Sequence, residues 1–346
     1  MSMPRLDYDP RASGERADLP PIEWVPSLGC WCVFSIEDIG YILKSHDFAA
    51  ADFIDWHRKL EQKVGIDCSA LIEVLGYIAT AHEGERHARI RHDFARTLNS
   101  NLALTRQKTA KAASEIVNAI CRPGSGVDLI RDIVRPICDI MFENVLGAAV
   151  VSRSDVGVSP SQIFDLYLGL NRRRKINAEA AAMLRAFASA NDRLTTTPEY
   201  AAGLSMLGYD SIVGSLGNSL LKVLQGDGAG KRLCDLCFPT ALPATAVPYI
   251  ERFAKQDCTL NGAGIRKNDR VRLYLDAGSA GHAENRPFFG KGRHSCLGEE
   301  LSTWLWRTLT AELGKLALAW TIERVERRKP DWVFVYHSSI LVRLHG

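Results

Sequence analysis

Phe288–Glu300 reads FFGKGRHSCLGEE and sets one cysteine among glycines, with a basic pair before it and a helix-like run behind it. A cysteine that only packs a core needs none of these neighbours. Phe289 supplies an apolar cover, and Gly290, Gly292 and Gly298 let the backbone turn tightly and come close to something flat. Cys296 precedes the run Glu299 to Leu318, so it sits near a helix start, where free N–H groups and the dipole favour an anion. A thiolate held in that way is a metal ligand or a nucleophile.

Composition narrows the setting. The chain has 346 residues, is 46% hydrophobic and carries a formal charge of +3, which suits an ordinary globular protein with a sizeable core. So small a net charge, with no recognised module, speaks against nucleic-acid binding. No apolar run is long enough to span a bilayer, and MSMPRLDYDPRASGERADLPP lacks the apolar core of a signal peptide, so no membrane association and a cytoplasmic location are expected. The cysteine count is nine, odd and scattered, and predicts reduced thiols. Cys30 and Cys32 flank Trp31 at strand spacing and are expected in the core. Cys234 and Cys237 lack a second pair or a nearby histidine, so they are expected on one buried helix face rather than in a zinc or redox site.

Outward from the cysteine loop, the chain divides into a Pro-, Arg- and Asp-rich surface segment over 1–22 and a single domain over 23–346. GCWCVFS reads as a strand, and Ser35 caps IEDIGYILKSHDF, whose Ile39, Ile42 and Leu43 recur at helical spacing. Residues 50–80 read as irregular or short-helical. EGERHARIRHDFARTL is a basic amphipathic helix, followed by helices near 104–120 and 126–147 on either side of RPGSG. Helical patterning continues over 160–196 and in AAGLSMLGYDSIVGSLGNSLLKVLQ, where repeated glycines imply close approach of another body. CTLNGAGIRKNDRVRLYLDAG alternates around an Asn-Gly turn and reads as a hairpin. LSTWLWRTLTAELGKLAL is helical, and DWVFVYHSSILVRL reads as two β-runs split by His-Ser-Ser. The class expected is mainly α with a minor β-sheet.

The order Phe289, Gly292, His294, Cys296, Gly298 resembles the heme-ligand loop of the cytochrome P450 family, Phe-x-x-Gly-x-Arg/His-x-Cys-x-Gly, at every specified position. The resemblance implies a P450-like fold with heme b, its iron ligated by the Cys296 thiolate. It implies that His87 and Arg91, one helical turn apart and so on one face, bind the heme propionates together with Arg252 and His294. On the distal side, Leu207-Gly208-Tyr209-Asp210-Ser211 is similar to the family's Ala/Gly-Gly-x-Asp/Glu-Thr-Thr. Gly208 is then expected to open the helix locally, and Asp210 and Ser211 to be the catalytic acid and alcohol that deliver protons.

Two family features are missing. No Glu-x-x-Arg pair lies ahead of Arg252, Arg232 and Asp235 being a reversed and weak substitute, and the meander between LYLDAGSAGHAENRP and FFGKG is shortened. Losing one partner of that buried ion network costs roughly 3–5 kcal/mol, whereas losing the whole network can be nearly neutral, so the joint loss reads as coherent remodelling. The resemblance implies a heme-thiolate monooxygenase that hydroxylates or oxidatively couples a small biosynthetic intermediate, free or carrier-bound. Its electrons would come from a ferredoxin or flavodoxin meeting Arg86, Arg89, Arg96, Arg307 and Lys315. Arg172 to Lys175, Trp56, His57, Phe334 and Ser338 fall in the family's pocket-lining segments. The rival readings are peroxide-driven or redox-neutral (isomerase or dehydratase) chemistry on the same heme, and heme binding without catalysis.

Overall fold

IEWV and CWCV pair as an antiparallel ribbon, β1 (Ile22–Val25) and β2 (Cys30–Val33), turned through Gly29 at φ +59. The structure, a computed structural model, describes residues 19–149, 160–164, 168–226, 231–276, 287–328 and 334–346. Ser35 then accepts a hydrogen bond from the Asp38 N–H at 3.3 Å and starts α1 (Ile36–Lys44), which β3 (Phe48–Ala49) follows. Helices α2 (Phe53–Val64), α3 (Ser69–Leu75), α4 (Gly84–Ser100) and α5 (Leu102–Ile120) come next. Strand β4 (Gly126–Asp128) leads through a π-helical stretch, Leu129–Val134, into α6 (Arg135–Leu146). Helices α7 (Leu170–Ser189) and α8 (Pro198–Gly226) precede four strands. These are β5 (Tyr249–Ala254), β6 (Cys258–Leu260), β7 (Ala263–Ile265) and β8 (Arg270–Tyr274). Helix α9 (Glu299–Leu313) and strands β9 (Ala319–Arg327) and β10 (His337–His345) close the chain. The protein is mainly α with a minor β component, as the patterning predicts.

The chain forms two compact units. The first takes residues 1–52, 79–87 and 247–296, and its sheet runs β1-β2-β8-β5-β3, with β2 and β8 parallel and the other pairs antiparallel. Val33, Ile39, Ile42, Leu43, Phe48, Val271 and Leu273 fill its core. Cys30 and Cys32 are buried beside Phe34 and Tyr274, where strand spacing puts them. The expected hairpin is β6–β7, turned by Asn261 (φ +48) and Gly262 (φ +79). Within the sheet, Arg272 has only 3% of its side chain exposed; it pairs with Glu251 at 2.8 Å and lies 4.0 Å over the Tyr249 ring.

The second unit takes residues 53–78, 88–246 and 297–346. Its axis is α8, buried along most of its length. A Cβ on Gly214 would lie 2.6 Å from the Ala246 Cβ and 2.8 Å from the Tyr336 Cβ, so the glycine permits this approach. Asn218 donates to the Thr245 and Val335 carbonyls, and the Ser219 hydroxyl donates to the Ala244 carbonyl. The small sheet runs β4-β10-β9.

Several expectations change. Of the two expected C-terminal β-runs only the second is a strand among the described residues: β10 begins at His337 and takes in His337-Ser338-Ser339 with an irregularity, while Phe334, Val335 and Tyr336 are not strand; the buried Ser339 hydroxyl is satisfied by Asp128 at 2.6 Å. Its partner β9 carried no strand signal, because most of its side chains are half-buried or exposed. The expected helix at 126–147 gives its first three residues to β4, and residues 50–80 contain two ordered helices. Cys234 and Cys237 are both exposed, and no helix carries them. Their segment is a 3-10 turn (Leu233–Asp235) fastened by Leu233 and Cys234 N–H groups to the Leu318 and Leu316 carbonyls. The Arg232–Asp235 pair (2.8 Å) is a surface pair, 57% and 45% exposed, and cannot replace a buried network. Most of the expected surface segment, 1–18, and the shortened meander at 277–286 lie outside the described residues. No helix among the described residues is long and apolar enough to cross a membrane.

Glu251→Ala leaves Arg272 charged and buried, so it should destabilise the first unit by about 3–5 kcal/mol in denaturant titrations followed by circular dichroism. Adding Arg272→Met should recover most of that loss.

Candidate functional site

The cysteine loop belongs to the first unit and turns twice on glycine, at Gly290 (φ +68) and Gly292 (φ +70). Backbone bonds fix it internally: Gly290 N–H to the Pro287 carbonyl (2.8 Å), Ser295 N–H to Gly292 (3.1 Å) and Cys296 N–H to Phe289 (2.7 Å). At Gly292 a Cβ would sit 2.9 Å from the Leu43 carbonyl oxygen, so only glycine lets the loop lie against the end of α1. Arg293 adds a polar strut, donating to the Ser45 carbonyl (3.2 Å) and the Phe48 carbonyl (2.8 Å). Phe289 is half-buried, Cys296 is exposed, and Gly298 begins α9, whose first turn contains Glu299 and Glu300. Among the described residues no three His, Cys, Asp or Glu side chains are grouped to hold a metal ion.

Positive charge gathers beside this loop. The His87 and His294 rings lie 4.3 Å apart. His294 Nε2 meets Glu83 at 3.1 Å, and the Arg293 Nε meets the same carboxylate at 3.1 Å. Desolvation acts to raise the Glu83 carboxyl, but the His294 hydrogen bond and charge, the Ala50 N–H and Arg293 outweigh it and lower it to about 2. Arg252 is 9% exposed and donates to the Glu251 carbonyl at 2.8 Å. Burial, with the Arg293 charge and against Glu83, lowers its guanidinium to about 10. The His294 side chain is 3% exposed, and its Nδ1 has no hydrogen-bond partner among the described residues. Two arginines and two histidines around one carboxylate, with a bare imidazole nitrogen, fit the carboxylates of a bound anion such as a porphyrin. Arg91 follows His87 by one turn of α4 and is half-buried.

In the second unit, Asp210 lies on α8 with its side chain 4% exposed. Its carboxylate accepts from the Tyr336 hydroxyl at 3.0 Å and pairs with Arg328 at 3.3 Å, while Arg328 also donates to Tyr336. Burial and the Asp210 charge push the Tyr336 phenol upward, so it remains a donor. The Ser211 hydroxyl donates to the Gly208 carbonyl at 2.8 Å. Helix α8 passes through Gly208, where a Cβ would meet the Phe142 ring at 3.2 Å.

A second buried cluster joins α2 and α7. His57 is fully buried; its Nδ1 donates to the Phe53 carbonyl (2.6 Å), and its Nε2 accepts from Arg173 (2.8 Å). Arg173, also fully buried, stacks 4.2 Å over Trp56, whereas Arg172, Arg174 and Lys175 are exposed. Sequence reasoning missed Glu83, Arg293, Arg328 and Tyr336. Arg293 stood inside the quoted loop and Glu83 one turn before His87, but the pairing of Arg328 with Asp210 across 118 positions left no local signal.

No protein-family model and no curated relative matches the chain. Solved structures do match over nearly its whole length. CalO2 aligns at TM-score 0.73 and 17% identity, covering 97% of this chain and 98% of its own. P450BioI, solved in complex with an acyl carrier protein ligated to hexadec-9Z-enoic acid, aligns at 0.71 and 17% over 93% and 94%. P450 RauA, complexed with a biosynthetic intermediate of aurachin RE, aligns at 0.69 and 16% over 94% and 93%. The fold is that of the cytochromes P450.

Burial first, then the Arg173 charge, against the Phe53 carbonyl, lowers His57 from 6.5 to about 4. A base depressed in the folded state gives stability that is complete above pH 6.5 and lost as pH falls from 6.5 to about 4. Urea titrations across that window should show an acid-side loss of about 3 kcal/mol, and His57→Gln should flatten this slope whatever it does to stability at neutral pH.

Proposed function

We propose that this protein is a heme-thiolate oxidoreductase of the cytochrome P450 kind. On this reading it oxidises a small biosynthetic intermediate, by hydroxylation or oxidative coupling, using dioxygen and externally supplied electrons. The observation that carries the reading is one exposed cysteine on a glycine-turned loop, beside a buried surplus of positive charge, within a P450 fold. Cys296 ligates the iron, and Phe289, Gly292 and Gly298 shape its loop. His87, Arg91, Arg252 and His294 bind the carboxylates. When bound, the heme supplies redox chemistry at an iron made electron-rich by the thiolate.

The chain's own contribution on the distal side is proton handling by Gly208, Asp210 and Ser211. The Ser211 hydroxyl must leave the Gly208 carbonyl to pass its proton on, and Asp210 must loosen from Arg328 to replenish it. Electrons come from a ferredoxin- or flavodoxin-type donor, for which Arg86, Arg89 and Arg96 are exposed on α4. Exposed Arg172, Arg174 and Lys175 on α7 suit an acidic carrier presenting the substrate, in keeping with the carrier protein bound to P450BioI. The proposed location is cytoplasmic.

One observation favours a second reading. An Asp210 held by both Arg328 and Tyr336 suits chemistry that needs no proton relay, whether peroxide-driven or redox-neutral.

The purified protein should give the reduced carbon-monoxide band of a heme-thiolate, and Cys296→Ala should abolish it. With ferredoxin, reductase and NADPH, Asp210→Asn should lower turnover about 100-fold while leaving that band intact. Turnover with peroxide alone, indifferent to Asp210→Asn, selects the second reading. A colourless protein defeats both.

A further inference from the structure

Glu83 immediately precedes α4, beside Gly84 in the left-handed region (φ +64), and belongs to no motif named above. Its two carboxylate oxygens divide their work. Oε1 meets His294 Nε2 at 3.1 Å and accepts the Ala50 N–H at 3.3 Å, and Oε2 meets the Arg293 Nε at 3.1 Å. One carboxylate thus grips two successive residues of the cysteine loop, two positions before the sulfur. The loop's own backbone bonds are local, spanning Pro287–Gly290, Phe289–Cys296 and Gly292–Ser295. Its register against the rest of the first unit rests on Gly292 at the Leu43 carbonyl, on Arg293 at Ser45 and Phe48, and on this clasp.

The clasp also selects which imidazole nitrogen is free. With Nε2 engaged by the carboxylate, that nitrogen carries a hydrogen, and Nδ1 is the buried atom with no partner among the described residues. The ring then stacks on His87 at 4.3 Å. We infer that Glu83 is a positioning residue: it fixes Arg293 and His294, and through them the loop that carries Cys296, in the arrangement that receives the cofactor. The inference rests on the heme-thiolate reading of Cys296.

The test compares wild type, Glu83→Ala and Glu83→Gln by three measurements on the purified protein. Hydrogen exchange of peptides spanning 287–296 should quicken at least about 10-fold in Glu83→Ala, with exchange in β5 and β8 unchanged. Heme loss to excess apomyoglobin should quicken by a similar factor, and the carbon-monoxide band should shift in part toward that of a neutral thiol. Glu83→Gln removes the charge that holds Arg293 and one of the two carboxylate oxygens, so it should reproduce most of both effects. Unchanged exchange in 287–296 overturns the inference, as does exchange raised evenly throughout the first unit, since that marks a merely structural role. If the wild-type chain holds no heme, the functional reading fails, while the exchange comparison still decides whether Glu83 orders the loop.

Discussion

Positive charge withdrawn from water must find negative charge close by, and in the first unit the two are unequally supplied. Arg272 is matched by Glu251 inside the sheet. Arg252, Arg293 and His294 share Glu83, which is itself 40% exposed. Burial weakens the Arg252 charge, and Arg293 weakens it further. A protein tolerates such an imbalance where a ligand completes it. On the proposed reading the carboxylates that complete it are those a porphyrin carries, and the cysteine loop would meet the same group.

Helix α8 solves its packing problem in the opposite way. The segment 231–248 contains no α-helix, and in the P450 resemblance this is where the charged Glu-x-x-Arg pair is expected. The segment, with Val335 and Tyr336, meets α8 through neutral bonds, Asn218 to Thr245 and Val335 and Ser219 to Ala244, and through the close approach at Gly214. Amide and hydroxyl bonds to backbone carbonyls carry no ionic desolvation cost, so a missing ion network leaves no orphan charge.

Much of this was legible in the sequence because the signals were local. The glycine spacing of the cysteine loop, the Ser35 cap, the Asn-Gly hairpin and the helical periodicities each depend on neighbours a few positions away. The failures share the opposite character. Strand β9 is held by pairing with β10 rather than by its own alternation, and Ser339 hides in a strand because Asp128, 211 positions distant, accepts its proton. Cys234 and Cys237 look like helix spacing, but the backbone bonds to Leu316 and Leu318 hold the segment in a short 3-10 turn with the thiols exposed. Glu83 was invisible because its partners lie more than 200 positions away in a loop noticed only for its cysteine.

Asp210 carries two demands that pull against each other. As the counter-ion of Arg328 it must stay ionised, since a neutral acid would leave that guanidinium without its partner in the buried cluster. On the proposed reading, as a proton donor, it must also become neutral once in every cycle. Tyr336 bears on the conflict: its hydroxyl already donates to the carboxylate and itself accepts from Arg328. When Asp210 takes up a proton, the phenol oxygen can continue to accept from Arg328 while its own hydrogen turns elsewhere. The arginine would then keep a partner, and the cost of protonating Asp210 would fall on one phenol rotation rather than on a stranded charge. A phenylalanine at 336 would remove that buffer together with a donor to the carboxylate, so that a protonated Asp210 would leave Arg328 without the phenol oxygen as acceptor.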